Sequence, residues 1–270
     1  MSRIARTFSS LRNSNSGAYI PYVCAGDPNK EFTIALVESL SSSGADIIEL
    51  GLPFSDPIAD GPTIQKAMNR SIAGGFKVKA VFEIASAIRK KGIERPIVLM
   101  TYANPALRMG MGKFCRLASE SGADAILPVD IPPEESSELD GFAKDNELDL
   151  IRLIAPNTSD ARLRFILSRA SGFVYAVSVA GVTGARNKLD DSATRLLRDV
   201  TSRSSLPVVL GFGISRPEHV RDALLAGAAG VVEGSQLVSL YSSSLDDGSK
   251  ALKVVADHVA EMKAATILGK

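Results

Sequence analysis

Cysteine, histidine and net charge are all scarce in this chain of 270 residues. The two cysteines, Cys24 and Cys115, are too few for a disulfide framework and stand in no metal-ligand spacing, so a reducing cytoplasm is the expected setting. The two histidines, His219 and His258, fall inside helical patterns away from strand ends and read as structural or exposed. Lys plus Arg number 31 against 30 Asp plus Glu, a formal charge of +1. No whole-molecule field therefore draws in nucleic acid or an anionic membrane, and any anionic ligand must be held locally. The opening MSRIARTFSS lacks an apolar core behind its basic residues, and no run approaches the ~18 uninterrupted apolar residues of a membrane span. Low-complexity tracts are missing, and so is a GxGxxG turn after the first strand candidate, where residues 24–29 read CAGDPN. With 45% hydrophobic residues and no Pro/Gly/Ser-rich linker, one folded domain over 1–270 is expected.

What is present is a recurring joint. Four times a small residue and a glycine end a helical pattern and an apolar run follows at once: SSGADIIEL (42–50), ESGADAILPV (120–129), RASGFVYAVS (169–178) and LLAGAAGVVEG (224–234). Gly44, Gly122, Gly172 and Gly227 are placed to take the left-handed conformation that closes a helix, and the runs are short enough to be buried strands. Together with YIPYVC (19–24), PIVLMT (96–101), LDLIRLIA (148–155) and LPVVLGF (206–212) they make eight strands. Helical patterns fill the gaps at 31–42, 78–92, 112–122, 133–146, 159–170, 190–203 and 216–227, with Ser159 or Thr158 capping one and Ser215 another. Near-continuous apolar strands alternating with helices imply an α/β protein with a parallel sheet covered on both faces. A closed (β/α)8 TIM barrel fits best, with an extra N-terminal helix at 1–13 and a C-terminal helix at 251–265; an open doubly wound sheet is the alternative. The loop at 178–190, rich in small residues, reads either as a mobile lid or as a solvated connection.

In such a barrel reactive groups sit where strands end, which narrows the search to eight windows. The richest is IIELGLPFSDPIADGPTIQ (47–65). If Ile48 and Leu50 face the helices, Ile47 and Glu49 point into the barrel. A carboxyl among apolar neighbours has its charged form disfavoured, and it then both gives and takes a proton near neutral pH. Glu49 is the leading catalytic candidate, against the bland alternative of a glutamate paired with an inward cation. Asp60 is either a second acid or a cap for the helix starting near Thr63. Glycine turns AGVTGA (180–185), GFGIS (211–215) and EGSQ (233–236) follow the last three strands. Backbone N–H groups there suit a phosphate without any lysine, although a tight strand-to-helix turn has the same pattern. Glu233 lies beside the proposed anion, so its strand parity must direct it elsewhere. Cys24 reads as a small buried residue.

These residues resemble a family. IIELGLPFSDPIADGPTIQ is similar to the signature of the tryptophan synthase alpha subunit, and YIPYVCAGDP, MTYANP, VDIPPEES, VYAVSVAGVTGAR, VVLGFGIS and VVEGSQLV resemble family segments in order. The resemblance implies a lyase that reversibly cleaves indole-3-glycerol phosphate to indole and glyceraldehyde 3-phosphate. By the same token Glu49 and Asp60 are the catalytic acids, Tyr22, Met100, Tyr102 and Leu127 line an indole pocket, and Tyr175 stands near the active site. Gly184, Gly213, Gly234 and Ser235 match the phosphate site, and Thr183 in the lid matches the residue that positions Asp60 on closure. A beta subunit bearing pyridoxal phosphate is implied as partner in an alpha-beta-beta-alpha assembly, docked near loop 53–60 and Asn104-Pro105. No metal and no cofactor are expected in this chain. Tyr22, Val179 and Glu233 depart from residues common in the family. Two other functions stay open: an isomerase or epimerase of a phosphorylated sugar with Glu49 as sole base, and a weakly catalytic subunit that activates its partner.

Overall fold

The structure is a computed structural model and describes residues 1–177, 191–211 and 213–268. Its strands are β1 (Ala18–Cys24), β2 (Ile48–Gly51), β3 (Ile97–Thr101), β4 (Ala125–Pro128), β5 (Asp149–Leu150), β6 (Arg152–Ile154), β7 (Val174–Val177), β8 (Val208–Gly211) and β9 (Gly230–Glu233). All pair in parallel, in the order β5-β4-β3-β2-β1-β9-β8-β7-β6. The two rims meet through one passage of chain. β5 pairs with β4, the Ile151 N–H still reaches the Ile126 carbonyl at 3.0 Å, and β6 then pairs with β7. The result is a nearly closed barrel of the TIM type. The expected unbroken strand at 148–155 is thereby corrected to two pieces, because tilted strands let this one use its two hydrogen-bonding edges in succession.

Twelve α-helices are described: α1 (Arg3–Asn13), α2 (Lys30–Ser42), α3 (Pro62–Ala73), α4 (Lys79–Lys90), α5 (Ala103–Met109), α6 (Met111–Glu120), α7 (Ser137–Asp145), α8 (Asp160–Arg169), α9 (Asp191–Arg203), α10 (Pro217–Leu225), α11 (Ser235–Ser242) and α12 (Gly248–Ala264). The glycine joints take the expected form, with φ of +110° at Gly44, +88° at Gly122, +72° at Gly172 and +105° at Gly227. Ser159 caps α8 by accepting from the Arg162 N–H. Ser215 does not cap α10: the N-cap is Arg216, and the Ser215 hydroxyl lies 3.4 Å from His219 Nδ1 instead. The helix expected over 133–146 divides into a 3-10 turn at Pro133–Glu135 and α7, because the Ser136 hydroxyl turns back to the Pro133 carbonyl at 3.1 Å. α5 and α11, seven and eight residues long, are too short to show a helical period in the sequence.

At the N-terminal ends of the strands, carboxylates serve the fold. Asp124 accepts from Arg3 at 3.0 Å, from Arg89 at 2.7 Å and from the Ile97 N–H at 2.8 Å. Asp46 accepts from Lys263 of α12 at 2.7 Å and from the Tyr19 N–H at 2.8 Å. Phe8 of α1 packs against Phe173 with ring centroids 5.8 Å apart. α1 covers this end through Phe8, and the last turn of α12 reaches it through Lys263, which leaves the C-terminal mouth for ligands.

Candidate active site

Every residue of β2 is buried, and Glu49 is only 2% exposed. Its side chain opens on a cavity of about 480 Å³ at the mouth, which Asp60, Tyr22 and Tyr175 also line. None of the described residues lining this cavity is Lys or Arg, and Glu49 Oε2 has no hydrogen-bond partner among them. The paired-glutamate alternative therefore fails. Burial first, and the negative charge of Asp60 second, push the Glu49 carboxyl up to about 8. It is a protonated acid at neutral pH.

Asp60 stands in the loop after β2. The N-cap of α3 is Gly61, which makes no side-chain cap bond, so the Asp60 carboxylate is not spent on capping. Instead Asp60 Oδ2 accepts from the Tyr102 hydroxyl at 2.6 Å, the same hydroxyl accepts from the Ala59 N–H at 3.1 Å, and Gln65 donates to the Asp60 carbonyl at 2.8 Å. Tyr102 thus stands behind Asp60, and its hydroxyl reaches the cavity wall through that carboxylate. Burial raises the Asp60 carboxyl, and the Tyr102 hydrogen bond opposes that rise. Tyr102→Phe is expected to raise the Asp60 pKa further, moving the acidic limb of the pH–rate profile to higher pH and lowering turnover roughly 10-fold, as for a hydrogen bond to a charged group. A pH–rate series on the variant checks both.

Met100, Leu127, Val129 and Leu153, from the ends of β3, β4 and β6, form an apolar wall. Tyr175 projects from β7 and leans over Gly211 of the next strand, where an added Cβ would sit 2.1 Å from its ring. Gly211→Ala is expected to push that ring into the cavity, to cost about 1–3 kcal/mol of stability by overpacking, and to raise KM; thermal unfolding and steady-state kinetics measure the two effects. Cys24 is buried and does not reach the cavity.

On the far side, Gly213, Gly234 and Ser235 line the cavity together with Ser215. Ser235 begins α11, so the N-terminal end of that helix lies at the cavity, as an anion site needs. Glu233 points the other way: it is fully buried, accepts from the Tyr19 hydroxyl, and sits 2.8 Å from His258 Nε2 on α12. Thr183, Gly184 and Val179, with the whole proposed lid at 178–190, lie outside the described residues. Residues missed in the sequence come from strand ends, such as Val129, Leu153 and Val232, and from the starts of helices, Thr63 and Ile64 of α3 and Gln236 of α11. For the α3 pair the hint was their place immediately after the acidic loop; for the others it was only their nearness to strand ends. Among the described residues no group of three or more His, Cys, Asp or Glu is placed to hold a metal ion, and no helix is long and apolar enough to cross a membrane.

A parallel barrel whose mouth holds a buried, protonated carboxyl beside a second carboxylate defines an enzyme that works by proton transfer. The family follows from comparison with known proteins. This chain belongs to the tryptophan synthase alpha chain family, whose model matches residues 8–267. It is 45% identical to the tryptophan synthase alpha chain of Gluconacetobacter diazotrophicus, over 93% of this chain and 91% of that one. The crystal structure of tryptophan synthase subunit alpha from Legionella pneumophila superposes with a TM-score of 0.90 at 34% identity, covering 98% of both chains. A chain of the a2b2 tryptophan synthase complex from Pyrococcus furiosus matches at 42% identity and a TM-score of 0.86, covering 92% of this chain and 98% of that one.

Proposed function

We propose that this cavity performs the family's reaction with Glu49 and Asp60 as its proton-transfer pair. The alpha subunit of tryptophan synthase cleaves indole-3-glycerol phosphate to indole and glyceraldehyde 3-phosphate. Breaking the bond from indole C3 to the glycerol side chain requires a proton on C3 and loss of a proton from the hydroxyl on the adjacent carbon. Protonated Glu49 delivers the first, and its carboxylate then takes the second. As the carbon–carbon bond breaks, its electron pair returns to the ring and the side chain leaves as the aldehyde. Asp60 accepts a hydrogen bond from the ring N–H and stabilises the positive charge that C3 protonation places there. Gly213, Gly234 and Ser235 hold the phosphate through backbone N–H groups. The observation that carries this reading is Glu49 itself: buried, unpartnered at Oε2, and protonated up to about 8 in a cavity shared with Asp60.

A beta subunit is the proposed partner, in an alpha-beta-beta-alpha assembly in which pyridoxal phosphate belongs to the partner. Ile58 and Leu107, 85% and 56% exposed, put apolar surface beside loop 53–60 and Asn104-Pro105, as a docking face requires. Two free, buried cysteines suit a cytoplasmic setting, and residues 1–270 are read as one domain. The test is indole release from indole-3-glycerol phosphate, with and without a beta subunit. Cleavage that accelerates in the complex is expected. Isomerisation of a phosphorylated sugar without indole release would overturn the reading, and tight partner binding with no cleavage would leave only an activating subunit.

A further inference from the structure

Tyr22 carries a hydroxyl to which the described residues offer no partner stronger than the Cys24 thiol. The residue is 1% exposed and lines the cavity, and its Oη has no hydrogen-bond partner among the described residues. The neighbouring Cys24 thiol is a weak donor and a weak acceptor. Burial first, with the titratable neighbours Cys24 and Asp60 adding to it, holds the phenol well above its ordinary range, so it stays a neutral O–H donor. Phenylalanine would fill the same space without an orphaned polar group, which makes the hydroxyl a cost to the fold unless a ligand satisfies it.

Its position says which part of a ligand that is. In the sheet, β1 stands between β9 and β2, and Tyr22 is level with Glu49 in the register. The ring leans over Gly51, one inward layer nearer the mouth than Glu49, where an added Cβ would lie 2.3 Å from Tyr22 Oη. On its other side, a Cβ at Gly234 would come 3.9 Å from Tyr22 Cβ. The Tyr22 Cβ thus faces the glycine turn after β9, while its hydroxyl lies over Gly51 of β2, one inward layer mouthward of Glu49. The apolar wall of Met100, Leu127 and Leu153 lies further round, on β3, β4 and β6. A ligand with its ring on that wall and its phosphate at Gly234 must lead its connecting chain across β1 and β2.

We propose that the Tyr22 hydroxyl binds the hydroxylated chain of the substrate, beside the carbon whose bond Glu49 breaks, and thereby selects substrates that carry a free hydroxyl there. The proposal rests on the lyase reading above. It is tested with Tyr22→Phe and two compounds: indole-3-glycerol phosphate as substrate, and, as inhibitor, an indole joined to phosphate through an unsubstituted three-carbon chain. Losing one hydrogen bond to an uncharged group is expected to lower kcat/KM for the substrate about 5–10-fold while leaving the inhibition constant of the hydroxyl-free compound within about twofold. A thermal midpoint no lower than that of the wild type separates this loss from misfolding. Unchanged kcat/KM, or equal losses for both compounds, overturns the proposal and leaves the lyase reading standing. A wild-type protein that releases no indole sinks both.

Discussion

Replacing Glu49 by glutamine is expected to lower indole release by at least ~10²-fold, because the proposed mechanism routes both proton transfers through this one carboxyl. Glutamine keeps the shape of the side chain and fills the same buried space, so the loss reports the missing proton and not a collapsed cavity. The same substitution is expected to stabilise the protein, in a manner that depends on pH. Burial raises the folded-state pKa from 4.5 to about 8, the reverse of a salt-bridged carboxylate. Below 4.5 the folded and unfolded states are both protonated and Glu49 contributes nothing. As pH rises toward 8 the unfolded chain sheds its proton while the folded chain keeps it, so wild-type stability falls. Above 8 the penalty is complete, and at ~1.4 kcal/mol per pH unit it amounts to several kcal/mol. Urea unfolding of both proteins at about pH 5 and about pH 9 should therefore show a stability gain in Glu49→Gln that is small at the first and large at the second. A variant with undiminished turnover would remove Glu49 from the mechanism.

Asp60→Asn is expected to cost a comparable ~10²-fold in turnover, since an amide neither accepts a proton nor balances positive charge on the ring nitrogen. The hydrogen bond from Tyr102 survives on the amide oxygen, so the loop should keep its shape. A second effect has a definite sign. The charge of Asp60 is one of the two causes that raise Glu49. Removing it lowers the Glu49 pKa and moves the basic limb of the pH–rate profile, where Glu49 loses its proton, to lower pH. Steady-state rates across the pH range in both proteins measure loss and shift together. Intact activity in Asp60→Asn would return the site to a single-base isomerase or epimerase.

Much of this was legible along the chain because barrels of this type repeat a local rule. The glycine at each helix end needs positive φ, and the apolar run after it is buried on both faces; neither feature depends on distant contacts, and all four joints formed as expected. Glu49 was legible for the same reason: an acid at an inward position of a buried strand is costly wherever the rest of the chain lies. The division of the fifth strand was not legible, because it depends on how tilted neighbours share hydrogen bonds around the ring. Nor was the hydrogen bond of Tyr102, the third residue of MTYANP, which turns its hydroxyl to Asp60 across 42 positions.

Order along the chain was enough to expect the alternation of strands and helices, the barrel mouth as the place to look for a site, and Glu49 as an inward acid there, since each follows from local backbone preference and the cost of burying charge; Asp60 it left open between an acid and a cap. Only the packed barrel decided that Asp60 holds Tyr102 and does not cap α3, that Glu233 turns away from the cavity to Tyr19 and His258, and that the Tyr22 hydroxyl lies over Gly51 without a hydrogen-bond partner among the described residues. Those outcomes depend on which side chains from strands and helices far apart in sequence reach the same few ångströms of space, and spacing along one chain does not encode that directly.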